Sequence, residues 1–212
     1  MNVKLVSITA PLINGIESAE ELIAYCARVS NPSNQLNSET APRLLKYCIK
    51  HAHWSIFEMA DMCVEIKTSR AIAAQILRHK SFSFQEFSQR YSNIASIEDI
   101  ELRKQAESNR QSSSDVISDP ILKNVVNLCL DHAVQTYHKL INSGVAREVA
   151  RLVLPLATES TLYVKGSVRS WIHYLSVRCE QDTQKEHRLI AESIKDIFVH
   201  EFPSIGQALE WV

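Results

Sequence analysis

The chain has 212 residues, enough for one sizeable domain or two small ones. Hydrophobic residues make up 45% and charged residues 22%, an ordinary balance for a soluble globular protein. A net charge of −1 supplies no global field to draw in nucleic acid or a membrane surface, so any anion site must be built from local clusters.

Residues 2–9, NVKLVSIT, read as a first strand. In SAEELIAYCARVS, Ser18 and Glu21 have the spacing of a capping box, which predicts a helix over 19–29. NPSNQLNS is a polar loop, and a helix over 40–51 follows with Leu44, Leu45 and Cys48 on one side. From Met59 to Thr68, apolar Ala60, Met62, Val64 and Ile66 alternate with polar Asp61, Glu65 and Lys67, the pattern of a half-buried strand. SRAIAAQILRHK, 69–80, turns helical: it is Ala-rich and lacks glycine and proline. Residues 81–91 do not continue that helix, and YSNIASI, 91–97, resembles another strand.

The most polar segment, 101–119, is expected as an exposed loop or insertion within one domain. Asp119 and Pro120 open a long helix in which Leu122, Val126, Cys129, Ala133, Tyr137 and Leu140 form a continuous apolar stripe, with Gly144 as its C′ stop. AREVARLVLP, 146–155, is a shorter helix ended by Pro155. STLYVKG, 160–166, suits a strand. Helices follow over 167–178 and 183–202, the last with Ile190, Ile194 and Ile197 turned inward. Long helices, a few strands and no regular β-α-β alternation argue an α+β fold of one domain with a small, mostly antiparallel sheet.

Two residue types exclude whole classes of site. The five cysteines, at 26, 48, 63, 129 and 179, form no C-x-x-C pair, so neither a metal centre nor a disulfide framework is expected. Reduced thiols, an N-terminal apolar run too short for a signal peptide, and no apolar run near the roughly 20 residues that span a bilayer point to a cytoplasmic protein. The four glycines, at 15, 144, 166 and 206, are too dispersed for a phosphate-cradling loop. If nucleotides bind here, side chains must hold their phosphates.

Four clusters carry candidate chemistry. Gln75, Arg78 and His79 fall at i, i+3 and i+4 near a helix end, where cations are also simply favoured by the helix dipole. In the same cluster Glu86, Ser88 and Arg90 follow with period 2 and would share a direction if extended, so that the two elements converge on one cavity. Arg147 and Arg151 share a face beside Leu152, Leu154 and Pro155; an arginine next to buried apolar residues needs an anion, whether a structural carboxylate or a ligand. Arg169, His173 and Arg178 accompany Trp171, Tyr174 and Leu175, and HAHWSIFE, 51–58, holds two histidines, Ser55 and Glu58 around Trp54 and Phe57. H-x-H alone is weak evidence for a metal, and a loop resting on a flat ligand is equally consistent with it.

At RHKSFSFQEFS, Arg78–Ser88, the sequence resembles the R-H-R-x7-S signature of the flavin-dependent thymidylate synthase family, and SQRY extends the match. HxSxFE at His53–Glu58, REVARLVLPL at 147–156, VRSWIHYLSVR at 168–178 and TQKEHR at 183–188 are similar to further motifs of that family in the same order. The resemblance implies an α+β homotetramer with active sites where subunits meet. It implies methylation of dUMP to dTMP, with carbon from methylenetetrahydrofolate, FAD as cofactor and NADPH as reductant, and with no cysteine nucleophile. It assigns Ser55, Arg78, His79, Lys80, Glu86, Ser167, Val168, Arg169 and His173 to FAD. It assigns Gln75, Arg78, Glu86, Phe87, Ser88, Gln89, Arg90, Arg151 and Arg178 to dUMP, with Arg178 catalytic as the cation that stabilises the ionised N3 side of uracil. No nucleic-acid partner and no metal are implied.

The chain departs from the family pattern at Lys80, which replaces the second arginine of R-H-R, and at Met59, Ala157, Ser167 and Asp182. Lys80 turns a bidentate fork into a point charge. Two other readings stay open from sequence. Basic residues interleaved with Phe82, Phe84, Phe87 and Tyr91 suit a clamp on single-stranded RNA, against the near-neutral charge and the dispersal of the cations. The departures suit an inactive paralogue kept for its fold.

Overall fold

Strand β1 (Asn2–Ile8) pairs with β2 (Asp61–Ser69), β2 with β6 (Glu159–Ser167) and β6 with β3 (Ser83–Glu86), all antiparallel, to give a sheet ordered β1-β2-β6-β3. The computed structural model describes residues 1–91 and 96–212. The strand expected over 91–97 therefore lies mostly outside the described residues; within them, Ile97 bridges Thr158. The alternation expected along β2 is present, with Met62, Val64 and Ile66 fully buried. Leu162 and Val164 of β6 stand on the same buried face. The other face carries charge: Tyr163 donates to Glu65 and Lys165 pairs with Asp61.

Helices cover the buried face, and the expected α+β class is borne out. They are α1 (Ala19–Ala27), α2 (Ala41–Lys50), α3 (Arg70–Ile76), α6 (Val168–Arg178), α7 (Lys185–Glu201) and α8 (Pro203–Ala208). The capping box at the start of α1 is formed, Glu21 N–H donating to Ser18 Oγ at 3.1 Å and Ser18 N–H to Glu21 Oε2 at 3.2 Å. Buried Glu20 caps α8 from a distance, accepting from Ser204 and Ile205 N–H. A carboxylate there meets both the orphan N–H groups and the positive end of the helix dipole. Ile190, Ile194 and Phe198 of α7 are buried, and Ile197 packs at the edge of the same core.

Two regions differ from the sequence pattern. Within the polar stretch 101–119, β4 (Arg103–Gln105) and β5 (Ser113–Val116) pair as a two-stranded ribbon. No apolar alternation announces it, because β5 is exposed along its whole length. The ribbon is fixed by charge: Arg103 bonds Glu101 at its base and Glu186 on α7.

The second region is α4 (Pro120–Asn142), capped by Asp119 and stopped by Gly144 at φ +82°, a conformation that suits glycine. Of the apolar stripe on α4, only Tyr137 is buried. Ile121 is 74% exposed and Leu128 60%. The next segment, α5 (Arg147–Ala150) with the single turn 151–153, leaves Leu152 76% exposed, not at the core.

One close contact ties the sheet to the segment that carries the cations. A Cβ on Gly166 of β6 would lie 2.4 Å from the Phe82 ring, well inside van der Waals contact. Phe82 in turn packs on Trp171 at 4.5 Å between centroids and on Tyr174 at 5.7 Å. Gly166→Ala is expected to destabilise the fold by about 1–3 kcal/mol through overpacking, read by urea unfolding. Phe82→Leu in that background should recover part of the loss. An unchanged midpoint for Gly166→Ala would show that the ring does not depend on the bare backbone.

Candidate active site

The first cavity, about 540 Å³, forms where the end of α3 meets the end of α6, and is lined by Gln75, Arg78, His79, Gln111, Arg178 and Asp182. Helix α3 stops at Ile76, short of the expected boundary. Arg78 and His79 follow in a tightened turn, their N–H groups bonded to Gln75 and Ile76 carbonyls three residues back. They still share the cavity with Gln75. The His79 ring stands edge-on to Tyr174 at 4.9 Å, and its Nε2 accepts from Arg178 Nε at 2.9 Å. A guanidinium only donates, so this nitrogen carries no proton and the imidazole is neutral. Electrostatics agrees: burial first, then Arg178 and His173, push the His79 pKa from 6.5 down to about 4. Among the described residues, the terminal amino groups of Arg178 and the whole Arg78 guanidinium have no protein partner.

Beneath Gln75 lies a second neutral imidazole. His187, with no exposed surface, meets Gln75 Oε1 through Nδ1 at 3.1 Å and the Tyr174 hydroxyl through Nε2 at 3.0 Å. Burial, then Arg178 and His79, lower its pKa to about 4. Burial also raises the Tyr174 hydroxyl, which stays protonated.

A second cavity, about 530 Å³, opens on the neighbouring side of α6 and is lined by Trp54, Glu58, Ser81, Arg169, His173 and Ser176. Arg169 pairs with Glu58 at 3.1 Å. Ser55 is exposed on the same single helical turn, Trp54–Glu58, and Met59, which ends that turn, is 49% exposed. Ser167 is the N-cap of α6, its hydroxyl accepting from Ser170 N–H, and Val168 is buried in the core, so of the segment 167–169 only Arg169 presents its side chain. Lys80 is exposed on the turn after His79.

The remaining candidates stand apart from both cavities. Strand β3 ends at Glu86, whose Oε1 accepts from Ser160 at 2.9 Å. A turn closed by Tyr91 N–H on the Ser88 carbonyl then breaks the expected period of two. Phe87 is exposed, and Ser88 is half-buried with Arg90 N–H on its hydroxyl. Gln89 is buried, its Oε1 accepting from Arg70 at 3.0 Å. Arg90 lines a separate hollow of about 430 Å³ with Ile141, Val145 and Arg147. Arg151 Nε donates to the Glu148 carbonyl at 3.4 Å.

Sequence reasoning left several lining residues without a role: Trp54 and Ser81 in the second cavity, and Gln111, Thr183 and Gln184 in the first. For Gln184 and His187 a signal was present, since both sit in TQKEHR at helical spacing; for Gln111 there was none.

Residues 11–204 match the family described as Thymidylate synthase complementing protein. The chain belongs to this family. It is 49% identical over the full length of both chains to a protein of Paramecium bursaria Chlorella virus 1 named probable flavin-dependent thymidylate synthase. It is 51% identical, again over both full lengths, to the flavin-dependent thymidylate synthase of a Synechocystis strain. A Thermus thermophilus protein of the same name is 32% identical over 90% of this chain and 72% of its own. Among solved structures, a UMP/dUMP methylase, PolB from Streptomyces cacaoi, bound with 5-Br dUMP, superposes with a TM-score of 0.79 over 99% of this chain and 94% of its own, at 24% identity, and shares the fold.

The two imidazoles set a pH dependence. Both stay neutral in the native state until about pH 4, whereas in the unfolded chain they take up protons near 6.5. The stability they confer is full above 6.5 and is lost as the pH falls from there to about 4. The urea midpoint is expected to fall over that window, and less steeply in His187→Asn. Parallel profiles for the two proteins would remove His187 from the account.

Proposed function

We propose that this protein is a flavin-dependent thymidylate synthase that methylates dUMP to dTMP, taking the carbon from methylenetetrahydrofolate, with FAD as the flavin and NADPH as reductant. The observation that carries the reading is the Arg178–His79 bond, which joins two motifs 99 residues apart in one cavity. Full-length identity to proteins bearing that name supports it.

The residues present fit a flavin dinucleotide. Without a glycine-rich loop its phosphates need side-chain cations, and Arg78 and Arg169 line adjoining cavities, with Lys80 exposed beside them. Trp54 and His173 offer flat surfaces in the second cavity, which Arg169 also lines; Ser55, Glu86, Ser167 and Val168, outside that lining, complete the set read from the family motifs. When bound, the flavin supplies the redox chemistry. The protein binds, orients and polarises.

For the nucleotide, Arg178 is held at Nε by neutral His79, which leaves its two amino groups for an ionised N3 edge of uracil. That stabilisation shifts electron density to C5, the carbon that attacks. A guanidinium suits this role because it stays charged throughout the working pH range. Gln75, Arg78, Glu86, Ser88, Arg90 and Arg151, with the main chain at Phe87 and Gln89, complete the dUMP set.

Arg90 and Arg151 lie outside the Arg178 cavity of their own protomer. A homotetramer with sites at subunit interfaces resolves this, because a second copy then brings its Arg90 edge to the first copy's Arg178. The exposed apolar residues of α4, Ile121, Leu122, Val125 and Leu128, support such an assembly, since a run of apolar side chains along one helix suits a docking surface.

Arg178→Ala is expected to lower dTMP formation from dUMP by about 100- to 1000-fold while flavin absorbance of the holoenzyme persists. Normal turnover would remove the role given to this arginine. Leu128→Asp is expected to sediment as a smaller species and to lose dTMP formation with it; an active protein of unchanged mass would refute the interface.

A further inference from the structure

Gln75 sits in the middle of a hydrogen-bond chain that runs from the buried core to the surface ribbon. The Tyr174 hydroxyl meets His187 Nε2 at 3.0 Å, His187 Nδ1 meets Gln75 Oε1 at 3.1 Å, Gln75 Nε2 meets Gln184 Oε1 at 2.7 Å, and Gln184 Nε2 meets Glu186 Oε2 at 2.9 Å. Arg103 of the β4–β5 ribbon closes it on Glu186 Oε1.

Each end dictates the same direction. Glu186, ionised against Arg103, only accepts. Gln184 must therefore turn its amide nitrogen to Glu186 and its oxygen to Gln75. Gln75 must then donate to Gln184, so its oxygen faces His187 and His187 Nδ1 must carry the proton. At the other end Tyr174 is 2% exposed, and among the described residues its hydroxyl bonds only His187. If His187 Nε2 carried the proton, the hydroxyl would accept it and its own proton would be buried unpaired. A bare Nε2 satisfies it, and that is the tautomer Glu186 demands.

We propose that Glu186 and Tyr174, acting from opposite ends through Gln184 and His187, lock the Gln75 amide so that the cavity meets a donor there. Gln75 spends its oxygen on His187 and one N–H on Gln184, which leaves the second N–H for the cavity it lines. With Arg78 and Arg178 it gives the cavity three donor side chains beside the Asp182 carboxylate, matched to an acceptor oxygen of the bound nucleotide, either phosphate or uracil carbonyl. The claim deepens the dUMP reading and rests on it. Glu186, Gln184, His187 and Tyr174 are positioning residues, and Arg103 makes the ribbon part of the site.

Two redundant locks predict a particular non-additivity. In FAD-reconstituted protein, Glu186→Gln and Tyr174→Phe should each weaken dUMP binding less than about threefold, because the other end still sets the chain. The double variant should weaken it tenfold or more, with flavin content unchanged. Merely structural roles would multiply, and a double variant no weaker than the product of the singles overturns the proposal. Titration with deoxyuridine assigns the oxygen: a loss shared by deoxyuridine places it on the base, and a loss confined to dUMP places it on the phosphate. Nitrogen-15 spectra of the His187 ring should show Nδ1–H in the wild type and both singles, and a mixture in the double; Nε2–H in the wild type also overturns it. If the wild type binds no dUMP, the function proposed above fails, and the His187 tautomer still judges the chain by itself.

Discussion

Everything around the site rests on an aromatic ring lying against a bare backbone. Gly166 has no Cβ where Phe82 packs, and any side chain there would overlap the ring. The ring is wedged on its other side by Trp171 and Tyr174 of α6. Trp171 is itself tied to the sheet, its Nε1 donating to the Met62 carbonyl at 3.0 Å. The turn between α3 and β3 is thereby clamped to both the sheet and α6. That clamp carries His79 to Arg178, and without it Arg78 and Lys80 would sit on a free surface turn.

The electrostatic arrangement is the reverse of a simple basic patch. Two imidazoles lie among guanidiniums, and burial together with those guanidiniums keeps both rings neutral. A neutral ring accepts, so His79 can hold Arg178 without competing with it for an anion. The positive charge is left on arginines, whose protonation does not change with pH in the working range. Polarity in the cavity is thus decided by which nitrogen of each ring is bare, a matter of hydrogen-bond geometry more than of net charge.

Much of this was legible in the chain. Alternation along β2, the capping box of α1, and Asp119-Pro120 with Gly144 around α4 are local signals, and each element formed where its signal lay. The shared face of Gln75, Arg78 and His79 was legible from helical spacing, but their meeting with Arg178 was legible only through motif resemblance, because nothing local reports a contact across 99 residues. The β4–β5 ribbon was illegible: its strands bury too little to leave an apolar period, and its anchor is an ion pair to α7. The α4 stripe was legible as apolar, yet periodicity does not say whether a stripe faces its own core or another chain.

That last ambiguity carries a functional consequence. A helix of 23 residues with one buried side chain derives little stability from its own protomer. The same helix leads through Gly144 into the segment bearing Arg147 and Arg151, and Arg90 lies against that junction. Arg147 and Arg151 therefore follow directly on a helix with one buried side chain, and Arg90, from the turn after β3, lines the hollow beside Arg147. Under the proposed assembly, burial of the α4 face and placement of these cations are one event. With these arginines serving the nucleotide as proposed, nucleotide affinity is tied to association by mass action.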